Sequence, residues 1–255
     1  MNFIDTHSHL YLSQFDNDID LCISRSLEAG VNKIILPNID SESVEPMCQL
    51  AEKDNELFKP LIGLHPTHVK ENFEDELNNI FTALSEKRNY GVGEIGIDLY
   101  WEKTFIEEQK VAFEKQVRYA LAKDLPIVIH SRESYCEILE VLKMINCQGY
   151  KGIFHAFPGN SEQAHQVIEM GFYIGIGGVV TFKNSHLPEV VSKIDLNHIV
   201  LETDSPYLAP VPYRGKRNES CYIPIIAEKI AELSGSTIEE VARHTTDNAS
   251  KLFKI

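Results

Sequence analysis

The residues that could do chemistry in this chain of 255 residues stand at the ends of short apolar runs. His7 and His9 follow the first run and are separated by one residue. Side chains in an extended segment alternate with a period of two, so both imidazoles lie on one side and a single ion can bind both. By itself the pattern is weak, because two ordinary polar residues also produce it.

The same placement recurs after later runs. Five of the ten histidines end predicted strands, together with two acidic residues. The set is His7, His9, His65, Glu94, His130, His155 and Asp204. A lone histidine in such a place is more often a hydrogen-bonded core residue than a ligand, but chance placement does not concentrate so many of these side chains. Imidazole and carboxylate are ligands of zinc, manganese, nickel or iron, so we expect a metal site.

Eight apolar runs must position these residues. They cover residues 3–4, 33–36, 60–64, 90–93, 127–129, 152–154, 173–176 and 198–201. Continuous apolar runs suit strands buried on both faces, as in parallel sheets. The stretches between them have helical spacing, and Ile19, Cys22 and Leu27 before Gly30 are one example. Strand and helix alternating eight times predict a (β/α)8 TIM-type barrel, a single domain over residues 1–255.

The barrel prediction also explains how distant residues could form one site. In such a barrel the loops after the strands gather around one mouth, where catalytic groups lie. The predicted ligands end strands one, four, five, six and eight, with Glu94 closing strand four. Strand eight lies beside strand one when a barrel closes. We therefore expect the ligands to converge at the mouth.

Charge limits the partners. The chain has 24 basic and 38 acidic residues, a net charge of −14. Such a surface repels polyanions at long range, so a broad nucleic-acid-binding face is not expected. Any nucleic-acid chemistry then needs a local positive site, which bound metal ions could supply.

Hydropathy and cysteine usage predict a cytoplasmic protein. No run approaches the roughly 20 apolar residues of a membrane span, and the sequence turns polar at Asp5, which leaves no room for a signal peptide. The five cysteines are Cys22, Cys48, Cys136, Cys147 and Cys221. Their odd number and the lack of a C-x-x-C pair predict reduced, buried thiols rather than disulfides or a thiolate zinc site.

The motifs together resemble one family over essentially the whole chain. They are IDTHSHL (4–10), GLHP (63–66), GEIGID (93–98), IHSR (129–132), FHAF (154–157), LETDSPYL (201–208) and RGKRNE (214–219). This set resembles the TatD-family deoxyribonucleases of the amidohydrolase superfamily. The chain departs from the family at Ala156 and Pro158, where the family usually has Cys and Ser, and at Ser220, where it usually has Pro.

The resemblance implies a hydrolase that cleaves DNA phosphodiester bonds with two divalent ions, Mg, Mn or Zn. One ion would be held by His7, His9, Glu94 and Asp204, and the other by Glu94, His130 and His155. Glu94 would bridge the ions. We place a metal-bound hydroxide between the ions, with Asp204 both ligating and accepting its proton. Asp204 could instead be a turn residue before Pro206.

Substrate contacts are expected from cations at the mouth. Arg132, Arg214 and Arg217 would bind phosphate oxygens, although a solvated loop is the plainer interpretation of such a cluster. His65 would contact phosphate, protonate the leaving group or support the ligands. Trp101 with its neighbour Tyr100 could stack a base or pack the rim. Glu202 could support a ligand or form a structural ion pair. The other histidines, His68, His165, His186, His198 and His244, are interpreted as surface or core residues.

Three functions fit the sequence. The first is a deoxyribonuclease acting on single strands or ends, because a deep mouth admits an unpaired strand more easily than a duplex. The second keeps the metals but cleaves a carboxyl ester, as in removing a D-amino acid from tRNA. The third is a non-catalytic barrel scaffold, which would be expected to have lost ligands, and none is missing. Nothing in the sequence separates phosphodiester from ester, or gives the metal or the oligomeric state.

Overall fold

Eight parallel strands form the inner ring of the protein. The computed structural model describes residues 1–101, 103–146 and 149–255. The strands in this part are β1 (Phe3–Asp5), β2 (Val31–Pro37), β3 (Phe58–Leu61), β4 (Val92–Asp98), β5 (Ile127–Arg132), β6 (Gly152–Phe154), β7 (Phe172–Ile176) and β8 (Ile199–Leu201). β1 to β3 form one sheet and β4 to β8 another. Parallel bridges between Ile62 and Val92 and between Ser8 and Ser205 join the two sheets at both edges, so the ring closes.

Helices surround the strands. In the described residues they are α1 (Ile19–Glu28), α2 (Ser41–Lys53), α3 (Phe73–Glu86), α4 (Ile106–Ala122), α5 (Tyr135–Ile145), α6 (Ser161–Glu169), α7 (Leu187–Val191), α8 (Ile223–Ser234) and α9 (Ile238–Phe253). Each of the first seven lies between two consecutive strands, as a (β/α)8 barrel requires. The predicted fold class is confirmed.

An apolar cluster fills the barrel interior away from the polar loops. Alternate strand residues such as Ile4, Val128 and Val200 point into it and are buried. Leu252 and Phe253, at the end of α9, belong to the same cluster. The last helix therefore packs under the strands, and the other end of the barrel is left for chemistry.

The structure corrects three strand boundaries near the site. The sequence predicts that His130 ends the fifth strand, but β5 runs on to Arg132. The sequence predicts that Glu94 closes the fourth strand, but β4 runs on to Asp98, so Glu94 lies inside it. The strand continues because Ile95 and Ile97, on the face opposite Glu94, are both fully buried. His65 was expected to end the third strand, yet β3 stops at Leu61. His65 instead lies in the following loop, where it precedes a short 3-10 helix over Pro66–His68.

The cysteine prediction holds only in part. Cys22, Cys48, Cys136 and Cys221 are free thiols, as expected. Cys22 and Cys48 are buried, but Cys136 is exposed in the first turn of α5, which contradicts a uniformly buried set. Cys147 lies outside the described residues. Within the described chain, no helix is both long and apolar enough to cross a lipid bilayer.

Candidate metal centre

Glu94 is the central side chain at the mouth of the barrel. It is 3% exposed, and its two carboxylate oxygens face different neighbours. Oε2 lies 3.1 Å from Nε2 of His7 and 3.6 Å from Nε2 of His9. Those two imidazole nitrogens are 3.2 Å apart. The predicted pairing of His7 with His9 on one side of an extended segment is therefore what brings them to a single oxygen.

The second oxygen of Glu94 faces the other side of the mouth. Oε1 lies 2.8 Å from Nδ1 of His130, 3.5 Å from Nε2 of His65 and 3.7 Å from Nε2 of His155. A carboxylate placed between two sets of imidazole nitrogens has the geometry of a bridging ligand. His65 was not among the residues expected to hold metal, but the structure places it within reach of this oxygen.

Asp204 completes the cluster from the loop after β8. Its Oδ1 lies 3.5 Å from Nε2 of His9, 3.7 Å from Nε2 of His7 and 3.9 Å from Nε2 of His155. The backbone of Asp204 has a φ of 58°, a left-handed conformation that aspartate tolerates better than most residues. This turn directs the side chain back across the mouth toward the loop after β1.

These donors fit divalent metal ions. Three groups each bring potential ligand atoms within 4.8 Å of one another: His7–His9–Glu94, His7–His155–Asp204 and His65–Glu94–His130. Within the described chain, Nδ1 of His7 and Oε2 of Glu202 are buried without a hydrogen-bond partner. Imidazole nitrogen with carboxylate oxygen is the donor set of zinc and its neighbours in the first transition row.

Burial and the surrounding carboxylates act in opposite directions on the histidines of the cluster, and burial lowers the pKa of His7 and that of His65. Burial alone would lower the pKa of His155, but the carboxylates of Glu202 and Glu94 raise it to about 10. Burial alone would raise the pKa of Glu94, yet the histidines around it hold that pKa well below its usual range. Glu94 is therefore ionised at neutral pH. An ionised carboxylate among buried imidazoles suits dications, to which neutral imidazoles can bind.

Asp98 holds His130 in place. Its Oδ2 lies 2.9 Å from Nε2 of His130, on the far side of the ring from Glu94. The other oxygen accepts hydrogen bonds from the backbone N–H groups of Tyr100 and Trp101, so the carboxylate is itself fixed. A carboxylate behind a ligating imidazole sets the ring orientation and raises its basicity. Asp98 ends the GEIGID motif, but its spacing gave no sign of this role.

Asp5 ties together the two loops that carry His7 and Asp204. One oxygen accepts hydrogen bonds from the backbone N–H groups of His7 (3.2 Å) and Thr203 (3.0 Å). The other accepts from the hydroxyl groups of Thr203 (2.6 Å) and Ser220 (2.7 Å). Asp5 is completely buried. Sequence reasoning missed it, because nothing in its own segment shows that its partners lie about two hundred residues away.

Comparison with known proteins agrees with this geometry. The family model described as TatD related DNase matches residues 4–254. The chain belongs to the TatD family. The resemblance drawn from the sequence motifs is thereby confirmed, and as a TatD protein the chain is a metal-dependent hydrolase.

Three TatD relatives illustrate the match. The chain is 37% identical over 252 residues to the uncharacterized metal-dependent hydrolase YabD of Bacillus subtilis, covering 98% of each chain. It is 30% identical over 255 residues to a protein of Pantoea ananatis named 3'-5' ssDNA/RNA exonuclease TatD, again covering 98% of each. The crystal structure of YJJV, a TatD homologue from Escherichia coli K12, superposes with a TM-score of 0.93 at 30% identity, covering 99% of this chain and 98% of that one.

A cavity of about 460 Å³ opens above the candidate metal ligands. Its wall includes the predicted ligands His9, Glu94, His130, His155 and Asp204. Its rim carries Arg132 and two exposed aromatic residues, Trp101 and Tyr207. The guanidinium carbon of Arg132 lies 4.2 Å from the ring centre of Tyr100 and 5.3 Å from that of Trp101. One side of the rim therefore presents a cation stacked on exposed aromatic rings.

The structure does not bring Arg214 and Arg217 to this cavity. Among the described residues that line it, neither is present. Arg217 forms a bidentate pair with Asp18 at 2.7 Å for both bonds and contacts Glu219 at 2.8 Å. Arg214 is exposed and lies over the ring of Phe182, 4.6 Å from its centre. In this TatD protein, Arg217 braces the loop after β8 against the start of α1.

Proposed function

We propose that this TatD protein hydrolyses phosphodiester bonds of DNA, acting on single strands or ends, at a binuclear divalent metal centre. The observation that carries the proposal is the placement of Glu94, whose two oxygens face separate sets of imidazoles. The name of the Pantoea relative, an exonuclease of single-stranded DNA and RNA, supports the same substrate class.

The residues present can be divided between two ions. His7, His9, Glu94 and Asp204 would hold one ion, and Glu94, His130 and His155 the other. Mg²⁺, Mn²⁺ and Zn²⁺ are the candidates. When bound, such a pair supplies an activated water at neutral pH and neutralises charge on the attacking and leaving oxygens. Metal analysis of His65 variants tests whether His65 also binds one of the ions.

We assign Asp204 as the proton acceptor. Burial alone would raise its pKa, but a hydrogen bond from His9 and the charges of His155 and His7 lower it. The carboxylate is therefore ionised at neutral pH and free to take a proton from the attacking water. Glu202 supports this arrangement from behind, with its Oε1 3.1 Å from Nδ1 of His155. Of the two roles considered for Glu202, we favour support of a ligand.

Substrate binding is assigned mainly to the rim. Arg132 would bind phosphate, and the neighbouring Trp101, 68% exposed, would stack an unpaired base. Arg214 lies outside the cavity, and we still propose that it binds a phosphate of the DNA strand that extends beyond the cavity. Arg217 has its N–H groups committed to carboxylates, so we give it a structural role instead. With a net charge of −14, the chain needs the metals and this rim to attract DNA at all.

The deciding experiment is a turnover screen of metal-quantified protein. Single-stranded DNA, blunt duplex DNA, RNA and D-aminoacyl-tRNA are each incubated with the parent and with Glu94→Gln as the matched inactive control. We expect release of nucleotides from single-stranded DNA, stopped by chelation. Release of amino acid without release of nucleotides would replace the phosphodiesterase with the ester hydrolase. Binding without turnover of any substrate would favour the scaffold.

A cytoplasmic location stays a prediction from the sequence.

A further inference from the structure

A carboxylate–imidazole pair stands at the rim of the cavity outside the proposed ligand set. His68, the last residue of the short helix over Pro66–His68, lines the cavity and has a side chain that is 44% exposed. Its Nδ1 lies 2.8 Å from Oδ2 of Asp40. The sequence interpretation placed His68 with surface or core residues, but the fold brings it to the substrate cavity.

Asp40 is itself fixed, so the imidazole is held in one orientation. The Oδ1 atom of Asp40 accepts a hydrogen bond from the backbone N–H of Ser43 at 2.9 Å and caps the start of α2. Its backbone carbonyl accepts from the side chain of Asn38 at 2.6 Å. The hydrogen bond from His68 holds the pKa of Asp40 at about 2, so the carboxylate is ionised. Turning it away from His68 would also disturb the helix cap.

The other ring nitrogen of His68 is available to a ligand. Within the described chain, Nε2 of His68 has no hydrogen-bond partner, and His68 belongs to none of the potential metal-binding groups. When both ring nitrogens carry protons, each N–H group is a donor, one beside Oδ2 of Asp40 and the other at Nε2. A charged donor at Nε2 would suit an anionic oxygen.

The distance from the centre indicates which anion this donor would reach. The ring of His68 lies 6.4 Å from that of His65 at an interplanar angle of 84°, and His65 is the residue whose Nε2 lies 3.5 Å from Glu94. His68 is therefore one side chain farther from Glu94 than His65 is. A phosphate at the scissile position would meet the inner residues, and a neighbouring phosphate would meet His68.

We propose that His68, positioned by Asp40, binds the substrate phosphate adjacent to the scissile one and so favours substrates with at least two consecutive phosphodiesters. This inference rests on the proposed function. It divides the rim into two substrate contacts, with Arg132 at the end of β5 and His68 on the loop after β3.

The test compares a thymidine dinucleoside monophosphate, which has one phosphodiester, with a trinucleoside diphosphate, which has two. His68→Ala in the metal-loaded protein should raise KM for the longer substrate about 10-fold, the usual effect of losing a charged hydrogen bond, and leave the shorter one unchanged. Asp40→Asn keeps an N-cap oxygen and should show the same substrate-dependent loss. The double variant should lose no more than His68→Ala alone. His165→Ala, which changes an exposed histidine on α6, is the control.

Equal KM changes for both substrates, or no change for either, would overturn the role of His68. If the parent cleaves neither substrate, the proposed function fails by itself. In that case the affinity of the uncleaved trinucleoside diphosphate is measured for the parent and for His68→Ala. Equal affinities would refute the contact, and a lower affinity of the variant would support it. Thermal unfolding of each variant separates loss of binding from loss of fold.

Discussion

The hydroxyl group of Ser220 donates a hydrogen bond of 2.7 Å to the carboxylate of Asp5. Proline, the residue that the TatD family usually has at this position, could not make this bond. Asp5 in turn accepts from the backbone N–H of His7, so the interaction connects the segment before α8 to the first pair of histidines. This chain therefore has an additional side-chain link between the loops that carry the proposed metal ligands.

The buried carboxyl group of Asp5 should make stability depend on pH in the metal-free protein. Burial raises the pKa of Asp5 to about 7, against hydrogen bonds from Ser220 and Thr203 that lower it. Because the folded-state pKa lies above the unfolded one, the contribution is present below about pH 4 and is lost as pH rises to about 7. The free energy of unfolding should fall over this window, on the order of 4 kcal/mol from this group. Urea unfolding of chelated parent and Asp5→Asn measures it, and identical slopes against pH would contradict the prediction.

Glu94→Gln should weaken the binding of both ions, because an amide offers one oxygen where the carboxylate offers two. Elemental analysis after dialysis should show less metal than the parent, and activity should fall with it. Asp98→Asn is the comparison, since Asp98 contacts His130 but not the other side of the centre. That variant should affect one ion more than the other. Two tightly bound ions in Glu94→Gln would refute the bridge.

The Asp204→Asn variant separates the role of Asp204 as a metal ligand from its role as a base. Asparagine keeps a coordinating oxygen and nearly the same shape but cannot accept a proton. We expect normal folding, at least one bound ion, and a fall in kcat of about 10²–10⁴ with little change in KM. Steady-state kinetics on metal-quantified protein provides the measurement. A kcat within a few-fold of the parent would remove Asp204 from the role of base, and loss of all metal would show that its ligand role dominates.

Arg132→Ala and Arg217→Ala should have different consequences. The first removes a cation at the cavity rim, so KM for DNA should rise and the salt dependence of binding should become shallower. The second removes one of the two arginines that pair with Asp18 and Glu219 and leaves Arg25 in place, so the free energy of unfolding should fall modestly with KM little changed. Fluorescence anisotropy at several salt concentrations and urea unfolding distinguish them. A shallower salt slope in Arg217→Ala would restore its phosphate role.

Strand periodicity and the positions of polar residues were enough to predict the barrel and the meeting of its ligands. Apolar runs mark buried parallel strands, and a barrel leaves only one end for the residues that follow them. The limits of β4 could not be predicted in the same way. Glu94 interrupts the apolar run, and only its three-dimensional surroundings of histidines allow a carboxylate inside a buried strand.

Residues whose role depends on a distant partner were missed for a common reason. Asp5 and Thr203 are 198 positions apart, and Arg217 and Asp18 are 199 apart, so no local pattern reveals either pair. The cluster around Arg217 therefore looked like a phosphate site when seen in sequence alone. The pair of Asp40 and His68 also had no distinguishing spacing, because its members lie on different loops.

The packing of α9 beneath the strands has a consequence for biosynthesis. A ribosome makes β1 early, yet Ile4 packs in one cluster with Leu252 and Phe253, and Thr6 donates hydrogen bonds to the carbonyl of Leu201. These contacts of β1 therefore join it to segments that are translated about 200 to 250 residues after it, whereas its pairing with β2 is available early. The apolar cluster beneath the strands is complete only when the segment around residues 249–253 has been synthesised.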